Sequence, residues 1–488
     1  MAKSFHLSHL KLFLLEYGDG VPPLTAPFWT LMTPTSTLFS ISQRHFKCII
    51  GTKHILMLER KKAYHKAKEF IHSEFFPNFI FTLKWLLIAG IVGFLAGSAS
   101  AGFLVSLNWV TDYREAHIWI IALLPLGGFL IGWVYHKYGR SVVHGNNQLL
   151  DEFYEPQKTI PLRMAPLVLF GTLATHLFGG SAGREGTAVQ MGGAIADQFT
   201  KWLKLSKEDR KILITIGVAA GFASVFGTPL AGAVFALEWL IIGRVRYEAI
   251  LPAFLGAYIA DFACTDFWLV HHTHYNIPIL PPMNISTLLW IIPAGICFGL
   301  AGRLFAKMTH LWANLFKTTI KYPPLRPVIG GLIVALLVLA MGSTKYIGLG
   351  IPTIVDAFSE DLPWYDFLAK IGMTSLTLGA GFKGGEVTPL FYTGATLGNA
   401  LSGIIPLPVA LMAGMGFVGV FAGATNTPLA CTLMGIELFG SESGIFIGMA
   451  CVLAYIFSGH AGIYNSQIIG SPKNMGKISS KGKKIGEL

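Results

Sequence analysis

Two glutamates stand in glycine-rich breaks of an otherwise apolar chain. Glu185 lies within "GGSAGREGTAVQMGG", residues 179 to 193, and Glu386 within "GGEVTPLFYTGATLG", residues 384 to 398. A glycine-rich segment entering a helix leaves backbone N–H groups unpaired, and the start of the helix carries partial positive charge. That end accepts an anion without presenting a full, tightly binding cation. A carboxylate beside such N–H groups is stabilised as an anion and occupies the site itself; once protonated, it no longer competes with a free anion. On this chemistry Glu185 is both a gate and a proton carrier. An ionisable group among apolar spans marks a functional site, because its burial is costly. The plainer reading is a structural Arg184–Glu185 pair. Neighbours in a helix point to different faces, which argues against it.

Composition says what must hold these breaks. The 488 residues are 53% hydrophobic and 13% charged, with 55 Gly, and the mean hydropathy is +0.57. A soluble domain carries about 25% charged residues. Abundant glycine suits close helix packing in lipid. Apolar runs recur from about residue 78 to 457, among them "FIFTLKWLLIAGIVGFLAG", "IWIIALLPLGGFLIGWVY" and "VIGGLIVALLVLAMG". A full span needs about 20 apolar residues. Several runs are shorter and broken by Gly or Pro, which membranes tolerate where backbone lines a cavity or is buried in protein. The reading is an all-α polytopic membrane protein with broken helices.

The ends differ from the middle. "ERKKAYHKAKEF", residues 59 to 70, and "SPKNMGKISSKGKKIGEL", residues 471 to 488, are basic. The formal charge of +11 concentrates there, beside apolar spans, which points to a membrane surface rather than to nucleic acid. The positive-inside rule places both ends in the cytoplasm of a plasma (inner) membrane protein, with an even number of crossings. Residues 1 to 56 fit neither a span nor a signal peptide. They are expected to be a non-native or disordered extension, with translation starting near Met57, and 57 to 77 to be a basic cytoplasmic segment. The five cysteines, Cys48, Cys264, Cys297, Cys431 and Cys451, form no CxxC pair, so no metal site or cofactor is expected.

An internal repeat organises the rest. "TPLAGAVFALE", residues 228 to 238, matches "TPLACTLMGIE", residues 427 to 437. "REGTAVQMGGA", residues 184 to 194, aligns with "GEVTPLFYTGA", residues 385 to 395. Glu185 falls on Glu386, Thr187 on Thr388 and Gly193 on Gly394. Two homologous halves follow, 78 to 265 and 285 to 465, and transporters commonly invert such halves with the site between them.

These segments resemble the CLC family of anion channels and transporters. "GREGT" followed by "AVQMGG" is similar to the family's GREGP segment. "GGEVTPLFYTGATLG" is similar to its second-half GGxFxP segment, and "FSGHAGIYNS", residues 457 to 466, to the stretch that supplies a pore tyrosine. The resemblance covers about residues 75 to 470. It implies two inverted helical halves, one pore per subunit and a homodimer whose surface comes from segments around 217 to 240 and 410 to 437. Chloride-handling members usually carry GSGIP; here "HGNNQLLDE", residues 144 to 152, puts Asn146 in place of the serine. With GREGT and GGEVTP, the pattern resembles the branch that exchanges fluoride for protons. The alternatives are a chloride or nitrate/proton exchanger and a passive CLC-type channel.

Fluoride is small and strongly hydrated, so a site for it must return strong hydrogen bonds. Asn146 offers amide donors, Thr388 and Tyr464 offer hydroxyls, and helix ends offer backbone N–H groups. The anion-binding set is therefore Asn146, Gly183, Arg184, Gly186, Val387, Thr388 and Tyr464. The plainer roles are a helix cap for Asn146 or Asn147, a back-bonded threonine for Thr388 and an interfacial belt residue for Tyr464. Many coupled members carry a second, inward glutamate just after the first-half "LE"; here Trp239 takes that place, after Glu238. Glu386 is then the candidate proton relay, or alternatively a partner for Lys383 or a capped helix start. Structural roles suit Glu238 and Glu437, and packing suits His176. An intramembrane hydrolase would need a nucleophile with a base. Ser181 near His176 is the only nearby candidate and has no GxS-type elbow, so no enzyme is expected. The partners expected are fluoride or chloride, protons and membrane lipids.

Overall fold

The computed structural model describes residues 75–474 and 479–488, with a few helical positions between 57 and 64. Residues 1 to 56, where a non-native extension is expected, lie outside the described residues, as does most of 57 to 77. Contacts divide the chain into units Met1–Asn78 and Phe79–Leu488. The second unit carries everything discussed below.

Among the residues described from 75 onward, fifteen α-helices follow α1 (Phe75–Ala116): α2 (Leu124–Tyr138), α3 (Asn146–Tyr154), α4 (Met164–Leu177), α5 (Glu185–Trp202), α6 (Lys207–Phe226), α7 (Pro229–Glu238) and α8 (Ile250–Phe262) complete a first set of eight. A second set runs α9 (Ile285–Thr319), α10 (Leu325–Met341), α11 (Ile351–Asp356), α12 (Asp366–Gly379), α13 (Val387–Ser402), α14 (Val409–Thr425), α15 (Pro428–Phe439) and α16 (Gly444–Phe457). Each set opens on a long helix, passes a short third helix and places its glycine-rich break before the fifth. Among the described residues, four stretches are long and apolar enough to cross a membrane, within Phe76–Ala116, Ile118–Tyr138, Tyr247–Phe267 and Ile285–Thr319.

The repeated "TPL" shows how sequence sets these ends. α6 stops on Gly227 and α14 on Asn426, at φ +69° and +64°, the left-handed conformation that glycine and asparagine adopt at least cost. Thr228 and Thr427 follow as N-caps, and Pro229 and Pro428 open the next helices, where proline's missing N–H is no loss. The two helices so started run in opposite senses. Glu238 accepts hydrogen bonds from the Leu429 and Ala430 N–H groups (3.1 and 2.8 Å) at the start of α15. Glu437 does the same for Leu230 and Ala231 (2.8 and 2.7 Å) at the start of α7. Each glutamate ends one helix and neutralises the exposed N–H groups of its repeat-related partner, so the halves are inverted.

Inside each half, α5 packs on α6 and α13 on α14 with backbone touching backbone. A Cβ on Gly192 would fall 2.2 Å from the Gly217 oxygen, and one on Gly394 would fall 2.0 Å from the Gly416 oxygen. This contact corrects the expected dimer surface. Residues 217–226 and 410–426 are buried within the protomer, because their small residues are spent on these internal helix pairs. Exposed apolar surface from the expected segments lies instead on α15, at Leu429.

A buried ion cluster fixes α3, which carries Asn146. Arg210 on α6 grips Asp197 on α5 through Nε and Nη2 (both 2.7 Å) and reaches Glu152 on α3 through Nη1 (3.0 Å). Bidentate geometry of this kind is directional as well as strong. Near the C-terminus, β1 (Ile241–Ile242) and β2 (Ile468–Ile469) form a two-residue parallel pair. Lys484 then ties the tail to Asp151 on α3 (2.8 Å).

Candidate functional site

The two glycine-rich breaks meet. Gly183 and Gly385 exchange both backbone hydrogen bonds, at 2.6 and 2.8 Å, which brings the first turns of α5 and α13 face to face. The Gly183 N–H is therefore not offered to an anion, contrary to expectation. That donor is consumed in holding the two halves together. The groups left at the junction are those of Arg184, Gly186, Val387 and Thr388.

Glu185 is fully buried there. Its Oε2 accepts from the Thr388 N–H (3.0 Å) and from the Arg184 N–H (3.1 Å). Its Oε1 accepts from the Thr388 hydroxyl. A side-chain carboxylate thus fills the place that helix-end N–H groups prepare for a free anion. Thr388 does not bond back onto its own helix; it donates across the repeat boundary. The Arg184–Glu185 pairing also differs from expectation, since Arg184 Nε lies 3.6 Å from Glu185 Oε1. Arg184 is the N-cap residue, ahead of α5, so the rule that helical neighbours face apart does not apply to it.

Two cavities flank this junction. One, about 170 Å³, is lined by Asn146, Asn147, Gln190, Lys383, Glu386 and Tyr464 among others. The other, about 20 Å³, is lined by Arg184, Glu185, His272, Tyr275 and Thr388 among others. The first holds the Glu386 carboxylate beside Asn146 and Tyr464, and the second the Glu185 carboxylate beside Arg184 and Thr388. Glu185 lines the smaller cavity only.

Asn146 is the first residue of α3 and makes no capping bond. A side chain at Gly186 would come within 3.0 Å of its Nδ2, so Gly186 lets the amide approach the junction. Asn147 instead accepts from the Ser466 N–H (3.0 Å), tying α3 to the segment that carries Tyr464. Tyr464 is buried, edge-on to Trp239 at 5.3 Å, and is no interfacial belt residue. Glu386 is the N-cap of α13 and faces the larger cavity. Among the described residues it makes no ion pair with Lys383, whose ammonium lies 4.4 Å from the centre of the Tyr135 ring. His176 is fully buried, with Nδ1 2.9 Å from the Thr172 carbonyl and Nε2 3.1 Å from the Ala182 carbonyl; it braces the loop leading to Glu185. Ser181 bonds Thr374 (2.8 Å) rather than the histidine, so it has no base.

Sequence reasoning passed over Gln190 and His272. Gln190 sits on α5 beyond Glu185, and its position in the cavity depends on the turn at Gly145, where a Cβ would meet the amide at 3.3 Å. His272 belongs to "HHTH", whose three histidines were a visible signal in an apolar chain.

The chain matches the family model described as "Voltage gated chloride channel" over residues 127–459. It is 53% identical over 397 residues to a chloride/fluoride channel protein of Pseudomonas syringae pv. tomato, covering 80% of this chain and 88% of the relative. Among solved structures it superposes on the crystal structure of a CLC-type fluoride/proton antiporter with a TM-score of 0.77 and 36% identity, covering 81% of this chain and 99% of that one. A slow cyanobacterial Cl⁻/H⁺ antiporter shares the fold at 22% identity, with a TM-score of 0.67 and coverage of 77% and 94%. The family model covers most of the chain and the relative is more than half identical over most of it: this chain belongs to the CLC family of voltage gated chloride channels.

Proposed function

We propose that this protein is a fluoride/proton antiporter that exports fluoride from the cytoplasm in exchange for protons. The observation that carries the reading is the Glu185 carboxylate, held by the N–H and hydroxyl of Thr388 at the wall of the smaller cavity. While ionised, it blocks the anion route. Protonation removes its charge, frees the donors of Thr388 and lets an anion take them. One proton is thereby carried at the position the anion must pass. Glu386, facing the larger cavity, is the relay on that side. Asn146, Arg184, Gly186, Val387, Thr388 and Tyr464 supply the anion site. Strong, closely spaced donors suit fluoride, whose hydration is costly to remove. The 36% identical fluoride/proton antiporter structure supports this choice.

The basic tail packs beside the segment that carries Tyr464, its Gly486 N–H donating to the Asn465 carbonyl (2.9 Å), and the positive-inside rule assigns that side, with both termini, to the cytoplasm of the plasma membrane. The protein works as a homodimer in lipid, one pore per subunit, with the exposed face of α15 at Leu429 in contact. A chloride- or nitrate-carrying exchanger and a passive channel remain the competing readings. The relative called a chloride/fluoride channel favours the channel.

Liposome flux separates the three. Fluoride, chloride and nitrate efflux are recorded together with external pH. The expected result is fluoride efflux that drives protons inward against their gradient. Anion flux with no proton movement identifies a channel, and chloride transport as fast as fluoride overturns the selectivity.

A further inference from the structure

The small cavity beside Glu185 poses a supply problem. Glu185 is fully buried, and on this side the space next to it is about 20 Å³, room for about one water molecule. A proton reaching the carboxylate from this side has a single water and the cavity walls to travel by. The titratable side chains on those walls are Arg184, Glu185, His272 and Tyr275. An arginine does not deprotonate and a tyrosine holds its proton near neutral pH, which leaves the imidazole.

His272 is held for that task. Gly227, the left-handed stop of α6, leaves room for the ring; a Cβ there would fall 2.7 Å from His272 Cδ2. The loop before it is pinned by Trp268 Nε1 donating to Ser98 (2.8 Å) and by the Val270 N–H donating to the Cys264 carbonyl (3.1 Å). The Thr265 hydroxyl donates to Asp261 (3.4 Å) and lies 3.3 Å from His272 Nε2. A hydroxyl has one proton to give, so Nε2–H is the donor to Thr265 in the neutral ring. Nδ1 is then the basic nitrogen; it is buried without a hydrogen bond in the neutral ring, and the Val225 carbonyl is an acceptor for the protonated one. Beyond it, His271 and His274 are exposed.

We propose that His272 is the proton relay on this face of the gate: Nδ1 takes a proton from the exposed side and passes it through one water in the small cavity to the Glu185 carboxylate. The transfer balances, since the imidazolium returns to neutral imidazole as the carboxylate becomes the acid. This inference rests on the proton-coupled reading of Glu185. The loop 268–284 joins α8 to α9 at the end of α8 remote from the tail-bound β1, so the relay serves the outer mouth. Burial first, then the positive charges of Arg184, His274 and His271, push His272 down to about 4, while the Val225 carbonyl favours its protonated form. Asp261, reached through Thr265, and Tyr275 complete the groups facing it. The ring is therefore neutral at rest and holds its proton only in passing. Its contribution to proton entry grows as the outer pH falls toward that value.

The test uses full-length protein in liposomes, with fluoride efflux and proton uptake recorded separately from outer pH 7.5 down to about 4.5. H272Q is expected to lower proton uptake about a hundredfold, the low end of what a positioned proton-transfer group contributes, and to flatten its dependence on outer pH. H272A is expected to recover uptake when imidazole is added outside. T265V, which keeps the ring but removes the hydroxyl that selects its tautomer, is expected to fall between. Size-exclusion profiles and fluoride binding by calorimetry verify that each variant is folded. Wild-type uptake by H272Q at every outer pH, or an H272A defect that imidazole leaves unchanged in folded protein, overturns the relay. Failure of the wild type itself to move protons overturns instead the antiport reading beneath it.

Discussion

Glu238 and Glu437 cap each other's helices. Each carboxylate takes two backbone N–H groups at the start of the helix that its repeat-related partner ends, at 2.7 to 3.1 Å. These four bonds join the two halves at a point away from the ion route, so they bear on stability rather than transport. A glutamine in either place keeps one acceptor and turns an NH₂ toward a backbone N–H. Glu238→Gln is expected to cost about 2 kcal/mol, as bonds to charged groups do. Glu437 is less buried, and Glu437→Gln should cost less. Thermal unfolding of purified protein in detergent measures both, and the double variant should lose less than the sum, since the two caps hold one interface.

Glu185→Gln cannot gain or lose a proton at the gate. Proton uptake in liposomes is expected to vanish, while anion movement stops or runs uncoupled. Undiminished fluoride-driven proton transport by this variant would remove Glu185 from the mechanism.

Donor strength should set ion choice. Asn146→Ser withdraws an amide donor from the approach to the junction, and Thr388→Ala removes the hydroxyl that binds Glu185. The smaller ion has more hydration to recover and should suffer more. Asn146→Ser is expected to narrow the fluoride-over-chloride ratio about tenfold, roughly 1.4 kcal/mol or one net hydrogen bond. Thr388→Ala is expected to lower fluoride flux and loosen coupling. Paired efflux assays with each anion give the ratio, and equal losses for both anions would count against selection by donor strength.

Helix contact predicts a contrast between two glycines. Gly394→Ala would push a methyl carbon to 2.0 Å from the Gly416 oxygen, and overpacking of this kind costs about 1–3 kcal/mol. Gly372, on α12, has open space at the same position. Gly372→Ala should be neutral or stabilising by up to about 1 kcal/mol through helix propensity. Apparent melting temperatures of the two variants should move in opposite directions or differ clearly in size.

How much of this was legible in the sequence depends on the range of the interaction involved. Apolar runs, basic ends and glycine-rich breaks are properties of adjacent residues, so the membrane class, the repeat and the placing of Glu185 and Glu386 at helix starts could be read directly. The "TPL" ends, with Gly227 or Asn426 before them, were equally local. What the tertiary structure decided lies between the halves. Thr388, 203 residues from Glu185, is its partner, because α13 starts against α5 and not because of any spacing. The Gly183 N–H went to Gly385 for the same reason. Arg184 came close to Glu185 because it precedes the helix, where the geometry of helical faces does not hold. The small residues at 217–226 and 410–426 were legible as close-packing surfaces, but whether they packed on a second subunit or on their own protomer was set by helix crossings. A sequence records which faces are able to meet; only the folded arrangement of the helices selects which of them do.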